Sequence, residues 1–471
     1  MRGDEASRAY AVNEMGISFP VCGGDALTSK YLLAPIQRIQ KHEEENINLI
    51  KLIIVLLYLS KKGFDAVIDY LDSQYLKKEL PVNVRDVYNE EEYEKWIAYE
   101  KEGGKFETIS DIVEIAFNLF LLLSNAYAWV FNRFSGMNVF AQYLALVVVF
   151  SLASTIIGIP FDYYDTFVLE EKYGLNTSTR KTFWLDAVKN LGIGVALAYI
   201  VVIVIMVLFD HFGNAAILLC SLVMMGFIAL LALVIVPLMR IFNKFQPLED
   251  GELKDSLLAL CDKNGIRVRK IVVRDASRRT TTANAFCAGF GNMKTISLDD
   301  NLVNEYFTEE ITAVFAHEFG HAKYHHTAKS LPFTIINLLI IFSSLAIVLN
   351  IPQLYTAFGF DGMNYYFGTA LLGVILWPVT TVLEAISNRM SRGHEYQADA
   401  FAAKSGYGQA LIAALKKLTK ESLSDINPHP AEVALHYSHP TLSQRISAIE
   451  KIDSEMSVNI PANQEGRTEK Q

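Results

Sequence analysis

Two histidines four residues apart, with a glutamate directly after the first, stand in the 471-residue chain as His317-Glu318-Phe319-Gly320-His321. On a helix that spacing stacks both imidazoles on one face. Two neutral imidazoles so placed can hold a divalent zinc ion, and the carboxylate between them can reach a water beside it. The neighbouring residues favour a helix. Thr308 is placed to cap it, Glu309 and Glu310 suit its positive first turn, and Ile311, Val314 and Phe315 supply an apolar stripe. Histidines that merely pack inside a buried helix would show the same spacing, so the decision lies with the other ligands.

A catalytic zinc takes three protein ligands and keeps a fourth position open. The stretch Ser391 to Ala400 offers Glu395 and Asp399, four apart on one helical face. Such a pair can put one carboxylate on the metal and use the second to orient a ligand histidine through its other ring nitrogen. Glu395 could equally pair with Arg392 on a solvated face, and His394, His325 and His326 compete for the third place. A closed structural site in a transporter or scaffold is the contrasting reading. It leaves Glu318 without a task, which argues against it.

The elements that must position these groups are mostly membrane helices. Hydrophobic residues make up 51% of the chain and mean hydropathy is positive. Five blocks carry no charge over roughly the 20 residues a bilayer requires: Phe134–Phe161, Leu191–Phe209, Ala215–Met239, Leu331–Phe360 and Gly362–Leu383. Ile112–Asn132 carries only Glu114, and Asn48–Leu59 is a weaker candidate with Lys51 inside it, which brings the expected count to seven. The polar segments 66–110, 162–184, 240–330 and everything after Glu384 then share one side. Arg240, Lys244, Arg267, Arg269, Lys270, Arg274, Arg278 and Arg279 lie there, which makes that side cytosolic.

Net charge is −9 without a basic run, so nucleic acid is not an expected partner; the bilayer and a peptide substrate are. Four scattered cysteines read as reduced and structural. Residues 1–45 lack an apolar core suited to a cleavable signal. Within 240–330 the pattern turns to mixed α/β. Leu253–Lys263 reads as an amphipathic helix. Ile266–Arg274, Thr280–Ala288 and Met293–Leu298 read as strands, with a turn at Gly289–Asn292. An exposed edge of that small sheet could bind an extended peptide. The expected division is 1–45 extension, 46–240 helices one to five, 241–330 catalytic domain, 331–390 helices six and seven, 391–456 third-ligand part and 457–471 disordered tail.

Several further motifs fall in a telling order. They are Thr166–Asn176, Asn243–Leu248, Ala283-Asn284-Ala285-Phe286, Ser391–Ala402 and His436-Tyr437-Ser438-His439-Pro440. With the histidine motif they resemble the type I CAAX prenyl proteases, integral-membrane zinc metalloproteases that process a-factor and prelamin, over about residues 110 to 450. The resemblance implies zinc ligands His317, His321 and Glu395, one ion per chain, with Glu318 as base and Asp399 behind the ligands. It implies that Asn284, Ala285 and Phe286 hold substrate backbone and that His439 faces the reacting carbonyl. It implies a mainly α membrane protein: seven tilted helices around a water-filled chamber, plus a cytosolic α/β zincin-type domain with a small sheet. Substrates would be prenylated CAAX-type proteins, with membrane quality-control proteolysis as the alternative. The short Leu298–Thr308 segment, where animal members carry a charged insert, suits a bacterial or lower-eukaryote member. Bacterial inner membrane is thus expected, or endoplasmic reticulum in a eukaryote.

Overall fold

The computed structural model describes residues 10–12, 18–20, 26–76, 78–265, 268–288 and 295–458. The Gly289–Asn292 turn, the start of the strand expected at Ile266 and the tail beyond Val458 lie outside them. By internal contacts the chain divides into Met1–Ile53 and Ile54–Gln471. The first unit holds an antiparallel pair, β1 (Tyr10–Val12) and β2 (Ser18–Pro20), with Ala11 opposite Phe19. Helix α1 (Ala26–Tyr75) begins in this unit.

The second unit is mainly helical. It continues with α2 (Glu90–Leu123), α3 (Ala126–Arg133), α4 (Val139–Tyr164), the short α5 (Glu171–Tyr173), α6 (Arg180–Phe212) and α7 (Ala216–Met239). Side-chain caps start several of them. Asn89 accepts from Glu92 N–H at the head of α2, Asn138 from Ala141 at α4, and Thr179 from Thr182 at α6. Among the described residues, four helical stretches are long and apolar enough to cross a membrane: Val139–Tyr173, Arg180–Leu231, His326–Leu349 and Tyr365–Glu421. The second contains both α6 and α7, joined at Gly213, whose φ of +52° suits glycine. All five uncharged blocks fall mainly on these stretches.

Two blocks end sooner than expected. Ile112–Asn132 is not one helix, because Asn125 takes a left-handed conformation (φ +55°) and separates α2 from α3. Leu331–Phe360 likewise overruns its helix, which stops at Leu349 where Asn350 folds its side-chain amide onto the Ala346 carbonyl.

Past α7 comes the mixed α/β part. Helix α8 (Glu252–Lys263) matches the expected amphipathic helix. Strands β3 (Phe245–Pro247), β4 (Lys270–Arg274), β5 (Ala285–Ala288) and β6 (Thr295–Asp299) form one sheet in the order β3-β4-β6-β5, with β4 and β6 parallel and the other pairs antiparallel. β3 was not anticipated. The nine-residue strand expected at Thr280–Ala288 shortens to four. Thr280 and Thr282 turn toward each other through their side chains, and Thr281 N–H donates to the Leu175 carbonyl of the loop after α5.

The remaining helices are α9 (Asp300–Glu305), α10 (Thr308–Lys323), α11 (His326–Leu349), α12 (Pro352–Thr356), α13 (Tyr365–Ala402), α14 (Gly408–Glu421), α15 (Pro430–Leu435) and α16 (Leu442–Val458). The apolar core joins Trp96, Leu257, Leu298, Ile311, Leu411 and Ile449, all almost completely buried. It locks α10 between the sheet and α13.

Candidate metal centre

Helix α10 carries His317 and His321. It begins one residue differently from expectation: Thr308 is its first residue rather than its cap. Glu310 accepts the Phe307 backbone N–H, and the Thr308 carbonyl takes the Thr312 hydroxyl. The helix approaches α13 closely enough that a Cβ on Gly320 would sit 2.8 Å from the Ala398 Cα. A hydrogen there is what permits the crossing. It sets the α10 histidines against Glu395 and Asp399 of α13.

The distances are short. His317 Nε2 lies 3.3 Å from Glu395 Oε2, His321 Nε2 lies 3.2 Å from Glu395 Oε1, and the two Nε2 atoms are 3.2 Å apart. One ligand atom from each of the three residues falls within 4.8 Å of the others, and His317 and Glu395 are buried. Behind this trio, Asp399 Oδ1 accepts from His317 Nδ1 at 2.8 Å. Asp399 is in turn clasped by Arg445 of α16, Nε to Oδ2 at 2.9 Å and Nη2 to Oδ1 at 2.7 Å. Burial disfavours a charged His317, but its bonds to Asp399 and Glu395 outweigh this and raise its pKa to about 9.

His321 has a different partner. Its Nδ1 lies 3.0 Å from His326 Nδ1, whose Nε2 is 3.3 Å from Gln397 Oε1. The His326 ring also stacks on His394, with centroids 4.2 Å apart. His326 and His394, rivals for the third ligand place, therefore back the site from behind. His325 is the left-handed residue (φ +54°) between α10 and α11.

The residues fit a cation. With both Nδ1 atoms committed to other partners, two Nε2 lone pairs and a carboxylate converge on one point. Glu395 Oε2 is fully buried, and its 3.3 Å contact with His317 Nε2 is an ion pair rather than a well-aligned hydrogen bond. The two Glu395 oxygens face the two Nε2 atoms, Oε2 that of His317 and Oε1 that of His321, which is a donor set a divalent cation takes.

Glu318 lies half-buried beside the trio and makes no hydrogen bond or salt bridge among the described residues. His439, on the loop before α16, has its Nε2 3.5 Å from Glu395 Oε1 while most of its ring remains exposed; the Ser438 hydroxyl and His439 Nδ1 are 2.9 Å apart. At the sheet edge, Asn284 precedes β5, its side-chain oxygen accepting Ala285 N–H and its carbonyl accepting Asp299 N–H. Ala285 and Phe286 lie on β5 itself, opposite Leu298 and Ser297, and the Arg274 guanidinium sits over the Phe286 ring. Sequence reasoning missed Arg445, because nothing in its spacing, 46 residues beyond Asp399, points back to the motif.

A family model described as "CAAX prenyl protease N-terminal, five membrane helices" matches residues 72–244, and one for peptidase family M48 matches residues 247–453. CAAX prenyl protease 1 of Saccharomyces cerevisiae is 32% identical, covering 85% of this chain and 95% of its own. The chain belongs to the CAAX prenyl protease 1 family. The Homo sapiens CAAX prenyl protease 1 homolog is 28% identical, over 79% of this chain and 88% of its own. The crystal structure of S. mikatae Ste24p superposes with a TM-score of 0.79 at 33% identity, covering 85% of this chain and 99% of that one. This CAAX prenyl protease 1 relative is thus a multi-pass membrane metalloendopeptidase. The two family segments meet across β3, where the membrane helices give way to the sheet.

Proposed function

We propose that His317, His321 and Glu395 hold one zinc ion and that the protein hydrolyses peptide bonds near the C-terminus of prenylated CAAX-type proteins. The convergence of two Nε2 atoms and a buried carboxylate from two helices carries this reading. Zinc, when bound, supplies the Lewis acidity that makes water a nucleophile near neutral pH. Glu318, which makes no hydrogen bond or salt bridge among the described residues, takes the proton of the attacking water and returns one to the leaving amine. His439 donates from Nε2 to the oxygen of the scissile carbonyl as charge develops on it. Asp399 holds the His317 ring through Nδ1, and Arg445 keeps Asp399 ionised.

Strand β5, at the edge of the sheet, offers its outer backbone groups to an extended peptide, with Asn284, Ala285 and Phe286 lining the approach. On this reading α1 and α2 join the five long helices of the four apolar stretches (α4, α6, α7, α11 and α13) as seven tilted spans around a water-filled chamber. Such a chamber answers the need for water, which hydrocarbon does not supply. The basic residues between Arg240 and Arg279 support a cytosolic catalytic side. The membrane is the bacterial inner membrane, or the endoplasmic reticulum in a eukaryotic host. Division at about residues 45, 240, 330, 390 and 456 separates extension, helices, catalytic parts and tail.

Glu318→Gln tests the chemistry. The variant is expected to bind zinc stoichiometrically and to lose nearly all cleavage of a CAAX peptide, whereas His317→Ala loses the metal. Turnover retained by purified Glu318→Gln removes the base, and full zinc content in His317→Ala removes the ligand.

A further inference from the structure

A groove of about 520 Å³ runs along α13 from Trp377 to Arg392. Phe64 of α1 and Trp377, Val382, Ala385 and Ile386 of α13 line it, with Leu435 of α15 as its far wall. Phe64 and Trp377 meet across it, ring centroids 5.8 Å apart. Its course matters more than its size. Tyr365 to Leu383 is an uncharged run of 19 residues, about 29 Å of helix, which matches a hydrocarbon core of about 30 Å. Trp377 and Val382 therefore lie within bilayer depth, whereas Ala385, Ile386 and the arginines at 389 and 392 lie beyond it.

The polar end of the groove is built from the catalytic segment. Asn388 donates to the Leu435 carbonyl at 2.6 Å, and Arg392 donates to the Val433 and Tyr437 carbonyls at 2.7 and 2.6 Å. That segment continues directly into His439. Arg392 is one turn from Glu395, about 4.5 Å along the axis.

We propose that this groove binds the isoprenyl chain of the substrate, leading it from the bilayer to the zinc-proximal end of α13. The inference rests on the prenylated-substrate reading above and adds where the lipid lies. From Trp377 to Arg392 the path measures about 22 Å, long enough to take an extended hydrocarbon chain. A bilayer lipid would match the apolar wall equally well. It gives no reason for the groove to close on the residues that carry His439, whereas a chain tethered to the scissile peptide must end there.

A CAAX peptide whose cysteine carries a benzophenone-tagged isoprenyl chain tests this on the wild-type protein in detergent. After illumination and digestion, the label is expected on 377–392. Ala385→Trp, which fills the groove, is expected to lower the ratio of kcat/KM for farnesylated over unprenylated peptide about tenfold. Label found elsewhere, or an unchanged ratio in a variant whose parent prefers the farnesylated peptide, overturns the groove assignment as a bilayer-lipid surface. A wild-type enzyme that shows no preference overturns the prenyl reading itself, and the groove with it.

Discussion

Removing His326 separates the two ways in which the histidines are held. If both Nε2 atoms face the metal, His321 carries its proton on Nδ1 and donates it to His326 Nδ1, 3.0 Å away. His326 must then carry its own proton on Nε2, where the Gln397 side-chain oxygen accepts it at 3.3 Å. The relay is neutral throughout, unlike the charged Asp399–Arg445 pair behind His317. Loss of such a partner typically weakens metal affinity 10- to 100-fold, about 1.4–2.7 kcal/mol. A neutral hydrogen bond contributes about 1 kcal/mol net, so His326→Ala belongs near the tenfold end. Asparagine places its side-chain oxygen near the position of Nδ1 and restores the acceptor; glutamine reaches only the position of Nε2. The expected order of zinc affinity, from competition with a chromophoric chelator, is wild type, then His326→Asn, then His326→Gln and His326→Ala together. Equal affinities across the series, or glutamine outperforming asparagine, would refute the relay.

If His317 is a zinc ligand, the metal must displace its proton, because its pKa of about 9 in the metal-free site exceeds the ordinary 6.5; zinc uptake at pH 7 should then release about one proton, read by calorimetry in buffers of different ionisation heat. The same raised pKa stabilises the metal-free protein fully below pH 6.5, and the benefit disappears as pH rises through 9, so its Tm should fall across that window. A flat Tm from pH 6 to pH 10 would contradict the assignment. Gly320→Ala drives a methyl to 2.8 Å from the Ala398 Cα, which should cost about 1–3 kcal/mol of stability and part the ligand helices; wild-type zinc affinity in this variant would show that the crossing is not what positions the ligands. His439→Ala should retain zinc while lowering kcat about 100- to 1,000-fold, and a change confined to KM would remove its role at the carbonyl.

Period-based reasoning served well wherever one helix supplied both members of a pair. His317 with His321, and Glu395 with Asp399, each share a face because four residues nearly complete a turn. The same rule misdirected attention to His325, four residues after His321. On an unbroken helix His326 would point about 140° away from His321. The left-handed backbone of His325 ends α10 and starts α11 in a new direction, which swings His326 back onto the His321 ring. Asn125 acts in the same way on a membrane segment, dividing what composition presents as one apolar block. Single-residue conformational switches of this kind leave no mark on periodicity. Arg445 and the Gly320–Ala398 contact were hidden for another reason: each depends on a partner from a distant element, and a one-dimensional pattern carries no such information.

One helix unites membrane insertion with site assembly. Helix α13 runs unbroken from Tyr365 to Ala402, about 57 Å, nearly twice the hydrocarbon thickness. Its uncharged run ends at Leu383, so Glu395 stands about 18 Å beyond that end. The carboxylate is thereby clear of the hydrocarbon, where an ionised group would be prohibitively costly, yet it is carried on the same rigid rod. Helix α11 starts at His326, directly behind the other ligand helix, and is itself apolar enough to cross a membrane. Both partners of the candidate zinc site, the carboxylate and the His321 relay, are thus fixed at the ends of membrane helices. A change in the tilt of α13 against α11 would move Glu395 and His326 relative to α10 before any catalytic residue was altered. Substitutions far down either helix, with no contact to the site, are for that reason expected to register as changes in metal affinity.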